Sequence, residues 1–83
     1  MDVYIVAVFR AREHTMKFNA ELLQKGYRAS VINTPREIFS SCGISVKFEE
    51  YAVSFARQVI RYYDFQSFAG FYLKEGSNYR MIY

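Results

Sequence analysis

The run VYIVAVF, Val3 to Phe9, is apolar at every position and rich in β-branched and aromatic residues. A run of this kind, without polar alternation, predicts a strand buried on both faces at the centre of a sheet. The constraint is severe because 83 residues make a single domain, 1–83, and such a chain buries only about 60 to 65% of its unfolded surface. Much of the remaining apolar material must cover this one strand. With eight Phe, eight Tyr and no Trp, that cover is made largely of rings, and many Tyr hydroxyls must reach water or a polar partner.

The other elements follow from periodicity. From Arg12 to Lys25 the spacing predicts a helix with Met16, Ala20 and Leu23 on its apolar stripe, Leu22 beside them and Gly26 as its stop. Phe18 falls off that stripe and is expected to be exposed. Strand spacing returns in YRASVIN, Tyr27 to Asn33, with Tyr27, Ala29 and Val31 on one face, and again in ISVKF, Ile44 to Phe48. In the latter, Ile44, Val46 and Phe48 are expected inward, Ser45 and Lys47 outward. Glu49 and Glu50 suit the first turn of a second helix, in which Ala52, Phe55, Ala56, Val59, Ile60 and Tyr63 form the clearest apolar stripe in the chain. The end reads as a strand from Phe68 to Leu73, a polar turn over Glu75 to Asn78 and a short strand from Tyr79 to Tyr83. The order β-α-β-β-α-β with one added strand predicts an α+β, ferredoxin-like split β-α-β sandwich with both helices on one face.

Charge and cysteine content exclude several classes. A formal charge of +3 and a pI near 9.1 permit an anionic partner, yet no block of like charges marks a nucleic-acid tail. One cysteine rules out an internal disulfide framework, a zinc ribbon and a C-x-x-C redox pair, so the thiol is either inert packing or a single reactive centre. No metal or cofactor is called for. No stretch approaches the roughly 18 apolar residues of a membrane helix. Met1-Asp2 carries acid where a secretory signal carries base, and the expectation is a soluble, cytoplasmic protein.

The segment TPREIFSSCG, Thr34 to Gly43, holds the chain's single proline and single cysteine. Thr34 as N-cap, Pro35 at the first helical position and Glu37 closing a capping box predict one short helical turn. Ser40, Ser41 and Gly43 then end it, leaving Cys42 at a tight reversal. About ten residues join two strands that a short hairpin could connect, and connections of this length are more often functional than accidental. Serine hydroxyls and exposed backbone N–H groups can hold an anion, and Arg36 adds positive charge; both lower a thiol pKa and favour the thiolate. The negative end of the preceding turn opposes them. Against a reactive Cys42 stands the plainer reading of a small buried hydrophobe. His14, with no second His, reads as a surface residue rather than a base or ligand.

Together with FRAREHTM after the first strand and KGYRASVIN before the loop, this segment resembles a family of small bacterial selenium/sulfur carrier-like domains. The resemblance covers about Tyr4 to Phe48, and its most specific part is Pro35-Arg36 followed by Ser41-Cys42-Gly43. It implies a cytoplasmic carrier, not a conventional enzyme, in which Cys42 holds sulfur or selenium as a persulfide or selenosulfide without a cofactor. Arg36 would stabilise the thiolate and persulfide anion, Ser40 and Ser41 would donate hydrogen bonds, Gly43 would let the backbone approach the sulfur, and Pro35 would join them as a substrate-binding residue. The implied partners are a donor protein such as a cysteine desulfurase and an acceptor protein, with homo-oligomerisation open. Ala11 departs from the pattern, standing where Ser or Thr could cap the first helix and add about 1 kcal/mol.

Two other classes compete. An RNA-binding module would stack bases on sheet aromatics, but AGFYL, Ala69 to Leu73, supplies only Gly70 and Phe71 of the usual basic-Gly-aromatic pattern. A non-catalytic interaction or regulatory domain would use Tyr72, Tyr79, Tyr83 and Phe18 as its patch. Acid/base catalysis finds no carboxylate pair or Cys/His constellation to work with.

Overall fold

The computed structural model describes residues 3–83, so the Met1-Asp2 start lies outside the described residues. Five strands and two helices run in the order β1 (Tyr4–Phe9), α1 (Arg12–Lys25), β2 (Ala29–Asn33), β3 (Ile44–Phe48), a 3₁₀ turn (Glu50–Ala52), α2 (Val53–Tyr63), β4 (Phe68–Glu75) and β5 (Asn78–Met81). They form an α+β structure with one antiparallel sheet in the order β2-β3-β1-β4-β5. β1 is central: Ala7 lies opposite Val46 of β3 on one side and Phe71 of β4 on the other.

Each face of β1 meets its own cover, which explains the unbroken apolar run. Ile5, Ala7 and Phe9 point to the helices and join Val46, Phe48, Phe71 and Leu73 in the main core. Val6 and Val8 point to the opposite face, where Ile38 from the β2–β3 connection closes over them among Tyr4, Ile32, Ala69, Tyr72 and Tyr79. On that second face the Tyr4 and Tyr79 hydroxyls lie 3.4 Å apart. Burial and the Tyr4 hydrogen bond push the Tyr79 phenol up to about 12.

α1 is rotated from its expected setting. Met16, Ala20 and Leu23 face solvent, and the buried stripe is Thr15, Phe18 and Leu22. Phe18, expected outside, is fully buried and packs its ring 5.3 Å from Phe9, 5.8 Å from Phe48 and 6.0 Å from Phe71. Turned inward, the Phe18 ring leaves water and meets three other rings in tilted or edge geometry, which adds to the gain from burial. The helix ends as expected at Gly26, whose φ of +102° costs a glycine little.

Other expectations shift less. Ala52, Ala56, Val59 and Ile60 of the second stripe are buried, whereas Tyr63 at its end is exposed, and Glu49-Glu50 lead into the 3₁₀ turn before the α-helix proper. Tyr27 precedes β2 and packs against Tyr51 and Phe55. β4 runs on to Glu75, and Asn78 pairs with it, so the polar turn narrows to Gly76-Ser77.

The connection from β2 to β3 contains no helix. One turn closes where the Ile38 N–H donates to the Pro35 carbonyl at 2.9 Å. Thr34 does not cap a helix: its hydroxyl lies 2.6 Å from that of Ser45, and its N–H donates to the Gly43 carbonyl at 3.0 Å. Ser45, expected to face outward, does leave the helix side but is fully buried, because the connection folds back over it and supplies the Thr34 hydroxyl as its partner.

Candidate functional site: the cysteine loop

The β2–β3 connection is held at both ends and at one point between. Its ends are tied by the Thr34–Gly43 backbone hydrogen bond. Ile38 pins the middle into the small core on the outer sheet face. Gly43, at φ +79°, turns the chain from the loop into β3 in a conformation few other residues adopt readily. Cys42 is thereby brought to the end of the sheet where β1 gives way to α1.

The sulfur is half-buried and surrounded by polar atoms from three segments. The Phe9 carbonyl lies 3.1 Å from Cys42 Sγ and the Ile44 carbonyl 3.3 Å, so the thiol proton has an acceptor at the end of β1 or at the start of β3. The Ser40 hydroxyl lies 3.7 Å from the sulfur and the Thr15 hydroxyl 3.9 Å. Burial pushes the thiol up, but hydrogen bonds from the Ile44 backbone N–H, the Ser40 and Thr15 hydroxyls and the residue's own amide together outweigh it. The Cys42 thiol consequently lies below its ordinary value. The two carbonyls suit the thiol, the hydroxyls and amides suit the thiolate, and the site can hold either form.

The remaining candidates separate into those that meet the sulfur and those that do not. Ser40 meets it; Ser41, the residue before Cys42 in the chain, is exposed and is not among the groups that reach the sulfur. Pro35 accepts the turn hydrogen bond from Ile38, and Gly43 sets the exit. Arg36 is exposed and, among the described residues, forms no ion pair and is not one of the groups acting on the Cys42 thiol. Thr15 was not among the sequence candidates. It is a fully buried polar residue on the inner face of α1 whose single hydroxyl proton has two acceptors in reach, the Ala11 carbonyl at 3.3 Å and the sulfur at 3.9 Å. A polar residue three positions before Phe18 would have flagged it once Phe18 was recognised as inward.

The first turn of α1 is itself fixed to the α2–β4 connection. His14 Nδ1 lies 2.6 Å from the Ser67 hydroxyl, and the Arg10 guanidinium donates to the Gln66 carbonyl. His14 thus serves the architecture that presents Thr15 and is not placed at the sulfur. Ala11 occupies the N-cap without a side-chain hydrogen bond, as its methyl group requires. Among the described residues no cluster of three or more His, Cys, Asp or Glu is arranged to hold a metal ion, and no helix is long and apolar enough to cross a membrane. A surface groove of about 540 Å³ runs between α1 and α2 past Glu21, Phe55 and Tyr62, and none of its lining residues belongs to the cysteine loop.

The family described as "Putative Se/S carrier protein-like" matches residues 4–72. The chain belongs to this family. The match runs from β1 through the cysteine loop and α2 into β4, so the Se/S carrier-like unit includes the second helix as well as the half that carries the Pro35-Arg36 and Ser41-Cys42-Gly43 pattern. Among the curated proteins and the solved structures, nothing matches the chain.

Proposed function

We propose that the protein is a sulfur or selenium carrier that holds its cargo on Cys42 as a persulfide or selenosulfide. The observation that supports this reading best is the surroundings of Cys42 Sγ: a half-buried thiol below its ordinary value, with hydroxyls at 3.7 and 3.9 Å. Inert packing cysteines sit among apolar groups that raise the pKa; this one has, beside two carbonyls, hydroxyls and amides whose hydrogen bonds together bring it below its ordinary value. The sheet order agrees with a ferredoxin-like split β-α-β unit to which β5 is appended, and the loop between its second and third strands carries the thiol.

In the transfer step the Cys42 thiolate attacks the outer sulfur of a donor cysteine persulfide. The donor S–S bond breaks, the donor leaves as its own thiolate, and the outer sulfur remains on Cys42 with its proton or as the anion. No net oxidation occurs and no external base is needed. An acceptor nucleophile then repeats the attack and restores the Cys42 thiolate. Ser40 and Thr15 stabilise the thiolate as nucleophile and as leaving group, and the exposed Ser41 would meet the outer sulfur. Arg36, exposed on the same loop, would meet the incoming anionic group. The donor is a persulfide-bearing protein such as a cysteine desulfurase, the acceptor a second protein, and the compartment the cytoplasm.

The test is intact-mass analysis of the reduced protein after incubation with a cysteine desulfurase and cysteine, beside a Cys42→Ser control. An added sulfur that is absent in the control and removed by a thiol reductant is expected. A protein that gains no mass, and whose Cys42 alkylates slowly at neutral pH, would leave a structural cysteine and an interaction domain.

A further inference from the structure

The thiol of Cys42 closes one end of the sheet. The β1–β3 ladder runs from Ile5 opposite Phe48 to Val8 opposite Ser45. One more step would set Phe9 opposite Ile44, the last residue of β1 against the first of β3, and the ladder stops short of it. At the same point β1 slips against β4, since Val8 lies opposite Gly70 and Phe9 opposite Phe68, and a slip of this kind bends a strand. Cys42 Sγ sits at the missing step, 3.1 Å from the Phe9 carbonyl and 3.3 Å from the Ile44 carbonyl. The S–H there does what a backbone N–H does farther along the ladder, and donates to a carbonyl at a strand end.

That bond lasts only while the sulfur carries a proton. In the exchange described above, Sγ gains a bond to a second sulfur, or to selenium, and has no proton left to donate. Both carbonyls then present their lone pairs to an atom that returns nothing, with the charge of a persulfide anion close by. The thiolate lacks the proton as well, but it accepts hydrogen bonds from the Ser40 and Thr15 hydroxyls, which the neutral inner sulfur of an S–S bond accepts only weakly. Loading is therefore the step that removes the donor without leaving a charge at Sγ in its place. Cys42 is joined to the rest of the loop through Gly43, whose carbonyl accepts the Thr34 N–H at 3.0 Å, so a displacement of the cysteine reaches that hydrogen bond first.

Resting on the carrier reading above, we propose that the Cys42 thiol proton is a latch on the end of the sheet, closed in the empty carrier and released when sulfur or selenium is loaded. The empty carrier holds Sγ between the ends of β1 and β3. The loaded carrier lets Cys42 and Gly43 turn out with the cargo, so that donor and acceptor meet different forms of the same loop. Transfer to the acceptor returns the Cys42 thiolate, which takes a proton from water and closes the latch again.

The experiment is amide hydrogen exchange followed by NMR, at a pH below the titration of the thiol, on five forms of the full chain confirmed by intact mass. These are reduced wild type, wild type loaded from sodium polysulfide, wild type treated with methyl methanethiosulfonate, Cys42→Ser and Cys42→Ala. The methanethiosulfonate puts a methylthio group on Sγ as methanesulfinate leaves, and so removes the proton without adding charge. The Thr34 and Ile44 amides report on the latch. The Ile38 amide, which donates to Pro35 in the same connection and is anchored on Val6 and Val8, is the internal reference. Expected at Thr34 and Ile44 is exchange at least about threefold faster in the persulfide, the methylthio form and Cys42→Ala, with Cys42→Ser near reduced wild type and Ile38 unchanged throughout. A persulfide that exchanges like reduced wild type would overturn the proposal. Cys42→Ser as fast as Cys42→Ala would overturn it by assigning the effect to side-chain volume, and acceleration in the two loaded forms without Cys42→Ala would overturn it by assigning the effect to crowding. Wild type that gains no sulfur from polysulfide would overturn the carrier reading, while the methylthio form and the two variants still decide whether the proton holds the sheet end.

Discussion

The two faces of the sheet do different work with the same central strand. On the helix face, Ile5, Ala7 and Phe9 are sealed under two helices by a broad cluster of rings. On the other face, Val6 and Val8 are sealed by one residue of one loop, Ile38, with half-buried tyrosines around it. The first face holds the fold, and the second holds the loop. Cys42 lies where the two meet, with Thr15 reaching it from the helix face and the loop anchored on the outer face carrying it. The comparison teaches that a small protein can use a second, minimal core to position a single cysteine side chain without committing another helix to it.

The comparison is most easily broken on the helix face. A domain of this size has a total stability of roughly 4 to 12 kcal/mol. Phe18→Ala, which empties the centre of the ring cluster, is expected to remove about 3 to 5 kcal/mol, enough to bring a domain at the low end of that range near its unfolding midpoint. Met16→Ala, on the exposed side of the same helix, is expected to change stability by less than about 0.5 kcal/mol. Urea unfolding of the pair decides it; equal losses would mean that α1 presents its other side to the sheet.

A smaller and more informative effect is expected on the outer face. Ile38→Ala should remove about 2 kcal/mol, at the low end for a buried isoleucine because the site lies under a loop that can settle. It should also free the loop, so that Cys42 loses its Ser40 and Thr15 neighbours and its pKa climbs toward the ordinary thiol value. Alkylation rate against pH, measured beside urea unfolding, separates the two effects. A variant with lowered stability and an unchanged alkylation profile would show that Ile38 does not position the site.

The smallest effect sharpens the link between the faces. Thr15→Val keeps the volume of the side chain and removes its hydroxyl, so the alkylation midpoint should move to higher pH while Thr15→Ser stays near wild type. The sign for stability follows from linkage. A thiol whose folded pKa lies below its unfolded value contributes stability that is present above the unfolded pKa and is lost as pH falls through the folded one. Thr15→Val should therefore gain less stability than wild type as pH rises through the thiol range, and an identical gain would remove Thr15 from the site.

Much of this architecture was legible without coordinates. The unbroken VYIVAVF run required cover on both faces and so a central strand, and the second helix declared its buried side through a regular stripe. Gly26 marked the end of the first helix because few other residues adopt its left-handed backbone readily. The unusual β2–β3 connection, with its cysteine between Ser41 and Gly43, pointed to the site and to the Se/S carrier-like family that matches the chain. These features are local: each depends on the periodicity or stereochemistry of a short segment, which sequence expresses directly.

Only the tertiary structure decided the rest, because the deciding energies lie between segments distant in the chain. The orientation of α1 was settled by rings from β1, β3 and β4 competing for Phe18, and no count of apolar letters within the helix contains those partners. Thr34 has the local form of a helix cap, yet a buried Ser45 needed a hydrogen-bond partner more than an exposed turn needed a cap. Arg36 is near Cys42 in sequence and is not among the groups acting on its thiol, while Thr15, twenty-seven positions away, is within 3.9 Å of the sulfur. The sequence by itself determined a central strand, two helices and a cysteine in a long connection; which side chains meet that cysteine was decided by the packing of both sheet faces, where burial and unsatisfied polar groups outweigh local preference.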